Sequence, residues 1–179
     1  MSVKKLTTIA LISCIAYLTI LVFKVPVQFL SYEIKDVIIA IGAMYLGGVS
    51  GIIICFVVSI IEMITISDSG IIGFLMNFIS SVSYIIPICY FYNKTETVFC
   101  NKIPKIVKGI ILGTIFMSIN MFIFNVILTP IYLGISLKET MKLLFTLVTP
   151  FNIIKGIING FLIYLIYKPL LKIVKKSNI

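Results

Sequence analysis

The chain has 179 residues, of which 60% are hydrophobic and 12% are charged. Soluble domains are about half apolar and about one quarter charged, so this composition excludes an ordinary water-soluble domain. The apolar residues form runs that can cross a hydrocarbon core of about 30 Å, which takes about 20 helical residues. We therefore expect an all-α integral membrane protein that forms a single domain over residues 1–179.

The net charge of +9 comes from lysines, because the sequence contains 15 lysines and no arginine. The lysines lie between the apolar runs and at both ends of the chain. This distribution is typical of a membrane topology signal and does not indicate a nucleic-acid-binding surface. We therefore expect the lipid bilayer, and no nucleic acid, among the partners of the protein.

The four cysteines show no zinc-binding pattern. Cys14, Cys55, Cys89 and Cys100 lack C-x-x-C spacing, and the sequence has no histidine that could complete a zinc site. We interpret the cysteines as small packing residues and expect neither a metal nor a cofactor.

In chain order, the apolar runs predict six transmembrane helices. The first run follows Lys4 and Lys5, as in a signal peptide, but it is long and lacks a small-residue cleavage site. Gly47 and Gly48 indicate a tight turn between a short second helix and the third helix. The predicted spans are Leu6–Phe23, Asp36–Leu46, Val49–Ile66, Ile71–Tyr92, Ile106–Leu128 and Pro150–Ile173.

The lysines also predict how these spans are oriented. If both termini are cytoplasmic, ten lysines lie inside, four lie outside and one lies within the sixth span, which satisfies the positive-inside rule. The inner lysines are Lys4, Lys5, Lys94, Lys102, Lys105, Lys108, Lys168, Lys172, Lys175 and Lys176; the outer ones are Lys24, Lys35, Lys138 and Lys142; the embedded one is Lys155.

Two outer loops are substantial in this topology. The first, residues 24–35, contains Tyr32 and Glu33. The second, residues 129–149, contains a predicted short helix over Ser136–Leu147. Ser136 is its expected N-cap, and Glu139 is the expected partner of Ser136 in a capping box.

Polar and charged side chains from five of the spans gather in the outer part of the membrane. The inner part has few such residues apart from the terminal lysines, and this asymmetry predicts a pocket that opens to the outside. Asn152, Lys155 and Asn159 are spaced i, i+3 and i+7, so they share one helix face. The outer residues are Asp36, Glu62, Asn77, Asn125, Asn152 and Lys155.

Each of these residues also has a purely structural interpretation. Lys155 lies within two turns of the membrane surface and could extend its ammonium group to water. Asn77 or Asn125 could join two helices through a hydrogen bond. Glu62 and Asp36 could be solvated charges at helix ends, and the helix dipole would also stabilise Asp36.

The residue types in the predicted pocket favour a neutral ligand with a hydrogen-bonding edge. Asparagine amides offer donors and an acceptor, lysine offers up to three donors, and neighbouring aromatic rings could stack on a flat ligand. A heterocyclic vitamin fits this chemistry, as do many other compounds. The sequence lacks the G-x-x-x-x-G-K-[ST] motif and a nucleophile beside a base, so we expect neither ATP hydrolysis by this chain nor enzymatic activity.

Several segments, taken in order over nearly the whole chain, resemble the substrate-binding S components of energy-coupling factor (ECF) transporters, specifically their riboflavin-specific group. The segments are Tyr32–Val37, Gly42–Gly47, Gly73–Ile79, Thr129–Tyr132 and Pro150–Gly156, and the P-F-N-x-x-K element in the last is the most specific. The resemblance implies a six-helix subunit of a prokaryotic plasma membrane that binds one vitamin near its outer face. It also implies docking onto a transmembrane coupling protein and two ABC-type ATPases.

The resemblance further implies roles for individual residues. Asn152 and Lys155 match flavin-contacting positions of the family, and Asn125 resembles an asparagine before Pro-x-Tyr, although Pro130 follows about one residue too soon. Ala10 and Cys14 match the small residues of the first helix that dock onto the coupling protein, with Cys in place of the usual Ala. The candidate substrate-binding residues are Tyr32, Asp36, Glu62, Asn77, Asn125, Asn152 and Lys155.

Alternative functions remain open at this point. The segment Glu62–Gly70 also resembles a subgroup whose members often have no assigned vitamin, so the ligand could be another vitamin or small heterocycle. A small membrane enzyme would need a nucleophile and a base at one depth, which the sequence does not provide. A structural subunit would not need asparagine and lysine residues gathered on one side.

Overall fold

The computed structural model describes residues 2–66, 69–93 and 102–177. Two residues with sequence-based assignments, Lys94 and Cys100, lie outside this part of the chain. The described elements are α1 (Val3–Phe23), β1 (Val25–Val27), β2 (Leu30–Tyr32), α2 (Lys35–Leu46), α3 (Gly48–Thr65), α4 (Gly70–Asn93), α5 (Lys102–Leu133), α6 (Leu137–Leu143) and α7 (Thr149–Ser177).

Five helices of the described chain are long and apolar enough to cross a membrane: α1, α3, α4, α5 and the continuous helix that contains α6 and α7. Large apolar side chains such as Leu11, Ile119 and Phe161 are more than half exposed on their outer surfaces. Such surfaces are stable against lipid, where the helical backbone satisfies its own hydrogen bonds. The predicted helical membrane bundle is confirmed in this coarse form.

Helix α2 differs from the other predicted spans. Its 12 residues make a helix about 18 Å long, which is shorter than the hydrocarbon core. Eight of these residues are buried, including the charged pair Lys35 and Asp36 at its start. Therefore α2 lies inside the bundle and depends on its neighbours, as expected for a short second helix ended by Gly47.

The segment predicted as the first outer loop contains a β-hairpin, which was not predicted from the sequence. Strands β1 and β2 are antiparallel, with Val25 opposite Tyr32 and Val27 opposite Leu30. Gln28, at the turn, has a φ of 55°, a left-handed conformation that is uncommon for residues other than glycine. The hairpin is too short to be stable alone and depends on contacts with the helices.

The segment predicted as the second outer loop is more helical than expected. The capping box at Ser136 is confirmed, because the Glu139 amide donates to Ser136 Oγ (3.3 Å) and the Ser136 amide donates to Glu139 Oε2 (3.0 Å). The predicted end of the fifth span at Leu128 is wrong, whereas α7 begins at Thr149, one residue before the predicted start at Pro150. Helix α5 runs on to Leu133, and α6 passes through a π-helical turn, Leu144–Val148, directly into α7.

The π-helical turn directly precedes Pro150, which has no N–H to donate to the preceding turn. In the turn, the Thr149 amide donates to the carbonyl oxygen of Leu144, five residues earlier. The wider turn also aligns side chains that follow at intervals of four residues, which would drift around a regular helix of 3.6 residues per turn. As a result, the residues Thr140, Leu144, Val148 and Asn152 are all buried against the bundle.

Small residues allow α4, α5 and α7 to approach each other closely. A Cβ atom at Gly156 of α7 would lie 2.6 Å from Thr114 Cγ2 of α5, and one at Gly113 of α5 would lie 2.5 Å from the carbonyl oxygen of Tyr84 in α4. The Tyr84 hydroxyl also donates to the carbonyl oxygen of Gly156 at 3.0 Å. This packing, typical of membrane helices, fixes α7 and its polar face.

Candidate functional site

A cavity of about 240 Å³ lies between the β-hairpin and helices α3, α4, α5 and α7. Its apolar lining includes Phe29, Met76, Met121 and Phe151. Its polar lining, in the described residues, comprises Lys24, Gln28, Ser31, Glu62, Ser69, Asn77, Ser80, Asn125, Thr129, Tyr132, Asn152 and Lys155.

The structure brings five of the seven candidate binding residues to the wall of this cavity: Glu62, Asn77, Asn125, Asn152 and Lys155. They come from α3, α4, α5 and α7, which are distant in sequence. The shared face of Asn152, Lys155 and Asn159 is confirmed, because all three are buried. Their role in ligand binding remains a prediction.

The cavity residues Asn125 and Asn152 are each held by their own helix. Asn125 Nδ2 donates to the carbonyl oxygen of Met121 (2.7 Å), and Asn125 Oδ1 accepts from Thr129 Oγ1 (2.8 Å). Asn152 Nδ2 donates to the carbonyl oxygen of Val148 (2.8 Å). Since an amide has two N–H donors, each asparagine keeps one donor for a ligand, and its orientation is fixed in advance.

Lys155 belongs to a buried group that connects three helices. Its Nζ atom lies 3.0 Å from Asp36 Oδ2 of α2, and Asp36 Oδ1 accepts a hydrogen bond of 2.5 Å from Ser81 Oγ of α4. Lys155 is 4% exposed and Asp36 is 0% exposed. The structure therefore contradicts the interpretations in which Lys155 reaches water and Asp36 is a solvated charge. Asp36 lies behind Lys155 and does not line the cavity.

A second group of charges surrounds Lys35, and we call it the Lys35 cluster: Lys24, Glu33, Lys35 and Glu62. Lys35 Nζ lies 2.6 Å from Glu33 Oε2 and also pairs with Glu62. Lys24 Nζ lies 3.9 Å from Glu33 Oε1 and 3.8 Å from Glu62 Oε1. Glu33, Lys35 and Glu62 are almost completely buried, so Glu62 is not a solvated helix-end charge.

Glu33, in the loop between β2 and α2, is ionised. Burial raises its pKa, but the charges of Lys35 and Lys155, together with hydrogen bonds from Lys35 and Ser31, outweigh burial and lower the pKa to about 2. The Ser31 hydroxyl donates to Glu33 Oε1 at 2.6 Å. Asp36, Glu33 and Glu62 thus face three lysines, Lys24, Lys35 and Lys155, and the formal charges cancel.

Tyr32, at the end of β2, connects the hairpin to α7. Its hydroxyl donates to Asn159 Oδ1 at 2.9 Å, and it does not line the cavity. Burial, followed by the charge of Asp36, raises the pKa of Tyr32, so the hydroxyl stays protonated and can donate. Tyr32 therefore supports the cavity by holding the hairpin in place.

The sequence matches the family "ECF transporter, substrate-specific component" over residues 4–167. The chain belongs to this family of S components. It is 30% identical over 183 residues to the riboflavin transporter RibU of Staphylococcus aureus (strain TCH60). The matched region covers 97% of this chain and 93% of that relative. It is 28% identical over 179 residues to the riboflavin transporter FmnP of Bacillus subtilis (strain 168), covering 93% and 92%.

The fold of this S component is also similar to a solved structure described as "Structure and mechanism of the S component of a bacterial ECF transporter". The TM-score is 0.79 at 26% sequence identity, and the match covers 96% of this chain and 98% of that chain. The structural match therefore extends over almost the full length of both molecules.

The two candidate docking residues of this S component lie on the surface of α1. Ala10 and Cys14 are exposed and four residues apart, whereas Ile9, Ser13 and Ala16 face the bundle. Cys55 and Cys89 are buried, as expected for packing residues, but Cys14 is not. Cys14 and Ala10 therefore form an exposed surface of two small side chains on α1.

The Lys35 cluster was not predicted from the sequence. Lys35 was expected to be an outer lysine and Glu33 a loop residue, but both are buried beside Glu62. The sequence contained one signal for this cluster. Three of the four residues Glu33–Asp36 are charged, and the predicted helix that they start is too short to span a membrane. Charges in such a position need partners within the protein.

Proposed function

We propose that this S component binds riboflavin in the cavity and delivers it across the membrane together with an ATP-driven coupling module. The observation that carries the proposal is the full-length similarity to two riboflavin transporters, combined with a cavity whose wall contains Asn152 and Lys155 in buried, fixed orientations. The coupling module would consist of a transmembrane protein and two ABC-type ATPases.

The chemistry of the cavity supports an uncharged flavin. The three lysines and three carboxylates around it cancel, so a ligand does not have to supply charge to compensate a buried ion. Riboflavin offers a flat ring for the apolar wall that includes Phe29 and Phe151, and hydroxyl and carbonyl groups for the asparagines. The cavity is slightly smaller than the usual range of about 300–1,000 Å³, so we expect its walls to adjust when a ligand of this size binds.

The proposed topology places α2 as a sixth, short membrane segment and both termini in the cytoplasm of a prokaryotic cell. The positive-inside rule supports this orientation, since most lysines then lie inside. The hairpin and α6 lie outside, and the cavity opens beside them. In the same proposal, the chain is one domain, and the exposed surface around Ala10 and Cys14 docks onto the coupling protein.

Titration of the detergent-purified protein with riboflavin tests the proposal. Binding should quench flavin fluorescence, with a dissociation constant below about 1 μM, and protein isolated from cells should contain flavin that mass spectrometry can detect. Lack of binding at 100-fold higher riboflavin concentrations would refute it. Release of a different heterocycle from the purified protein would instead identify an S component for another vitamin.

Substitution of the cavity asparagines should weaken binding selectively. For Asn152→Ala and Asn125→Ala we expect a loss of about 1 kcal/mol or more, or at least about fivefold in the dissociation constant, because polar ligand groups would lose their partners. Asn120→Ala is the matched control on α5: Asn120 donates to Ser83 (3.1 Å) and does not line the cavity. Equal losses in all three variants would exclude a direct role for Asn125 and Asn152.

A further inference from the structure

We propose that Asp36 and Ser81 are positioning residues that orient Lys155 and cancel its charge at the cavity wall. This inference rests on the proposed function and extends it to two residues that do not line the cavity. Ser81 would fix the Asp36 carboxylate, and Asp36 would fix the Lys155 ammonium group. With its charge cancelled by Asp36, Lys155 would favour riboflavin over a flavin that carries a phosphate group.

The geometry forms a chain of contacts across three helices. Ser81 Oγ of α4 donates to one oxygen of Asp36 in α2 at 2.5 Å, and the other oxygen lies 3.0 Å from Lys155 Nζ of α7. Ser81 and Asp36 are 1% and 0% exposed, whereas Lys155 reaches the cavity. Neither Ser81 nor Asp36 can therefore contact a ligand in this arrangement, and both must act through Lys155.

This chain of contacts restricts a side chain that is otherwise flexible. A lysine ammonium group sits on a stem with four carbons and can take many positions unless a partner fixes it. Each Asp36 oxygen has a separate partner, so the carboxylate cannot rotate without losing one contact. An ammonium group has three N–H donors, so Lys155 can stay paired with Asp36 and still donate to a ligand.

The same contacts set the electrostatics of the wall. With Asp36 ionised, Lys155 belongs to a neutral pair, and the charge of Glu33 also acts on Lys155. If Asp36 lost its charge, a buried ammonium group would remain without its partner at the wall. A buried unpaired charge is unfavourable, and an anionic ligand group would relieve it. The loss of Asp36 should therefore change which flavin binds best.

The test compares two ligands, riboflavin and riboflavin 5′-phosphate, in the full-length purified protein. For Asp36→Asn we expect riboflavin binding to weaken about tenfold or more, and the affinity ratio to shift about tenfold towards the phosphate-bearing flavin. Ser81→Ala should weaken riboflavin binding about three- to tenfold, and Ser81→Thr, which keeps the hydroxyl, should stay within about twofold of the parent. Ser83→Ala is the matched control on α4, because Ser83 contacts Asn120 and not Asp36.

The outcomes separate the inference from the proposed function. If the parent protein binds riboflavin but Asp36→Asn weakens both flavins by the same factor, the role of Asp36 is only structural and the inference is overturned. Should Asp36→Asn fail to fold, the Ser81 variants decide, and equal losses in Ser81→Thr and Ser81→Ala would also overturn it. Absence of riboflavin binding in the parent protein would refute the proposed function and this inference with it.

Discussion

Replacement of Lys35 by methionine is expected to lower the free energy of unfolding by about 3–5 kcal/mol. Lys35 is buried between Glu33 and Glu62, and its removal would leave two buried carboxylates with only the more distant Lys24 as a counter-charge. Methionine has a similar length, so the change removes charge and leaves most of the packing. Thermal unfolding in detergent should show a decrease of about 6–20 °C in the Tm.

Two further variants test the cause of this effect. Lys138→Met removes an exposed lysine of α6 and should change the free energy of unfolding by less than about 0.5 kcal/mol. The double variant Lys35→Met and Glu62→Met should regain part of the lost stability, because Glu33 keeps Lys24 and the charges balance again. A Lys35→Met protein as stable as its parent would show that the cluster does not stabilise the fold.

Substitution of Ala10 by leucine should strongly reduce transport and leave riboflavin binding nearly unchanged. We expect riboflavin uptake by cells that express the coupling module to fall at least about tenfold, because a large side chain prevents close approach of two membrane helices. Ala10 lies on the exposed surface of α1 and does not line the cavity. The dissociation constant of riboflavin should therefore change by less than about twofold, as measured by fluorescence titration of the purified variant.

Two α1 variants serve as controls for the docking surface. Leu21→Phe adds bulk at an exposed position near the other end of α1 and should leave uptake unchanged. Cys14→Ala keeps a small side chain at the other candidate docking position and should also retain uptake. Normal uptake in Ala10→Leu would exclude docking through this surface, and a loss of binding in the same variant would indicate damage to the fold.

The helices were predictable because their signal is local. A membrane helix needs an uninterrupted apolar run, so α3 was predicted at Val49–Ile66 and lies at Gly48–Thr65. The capping box at Ser136 was predictable for the same reason, since both partners lie within four residues. The gathering of Asn125, Asn152 and Lys155 at one cavity followed from their depth in the membrane once the orientation was assumed.

The ion pairs were not predictable in this way. The partners of Asp36 lie on α4 and α7, and those of Lys35 lie on α3 and in the loop before α2. No spacing rule connects residues on different helices, because only tertiary packing brings them together. The positive-inside rule also predicted that Lys35 is an exposed charge outside the membrane. Lys35 is instead completely buried.

The backbone is helical from Leu137 to Ser177, so α6, the π-helical turn and the segment that carries Asn152 and Lys155 belong to one continuous helix. Helices bend most readily at π-helical turns and at prolines, and this helix has a π-helical turn at Leu144–Val148. A bend at that turn would change the angle between α6 and the cavity wall without breaking the helix. The β-hairpin would feel such a bend through its side-chain contact with α7, the hydrogen bond from Tyr32 to Asn159.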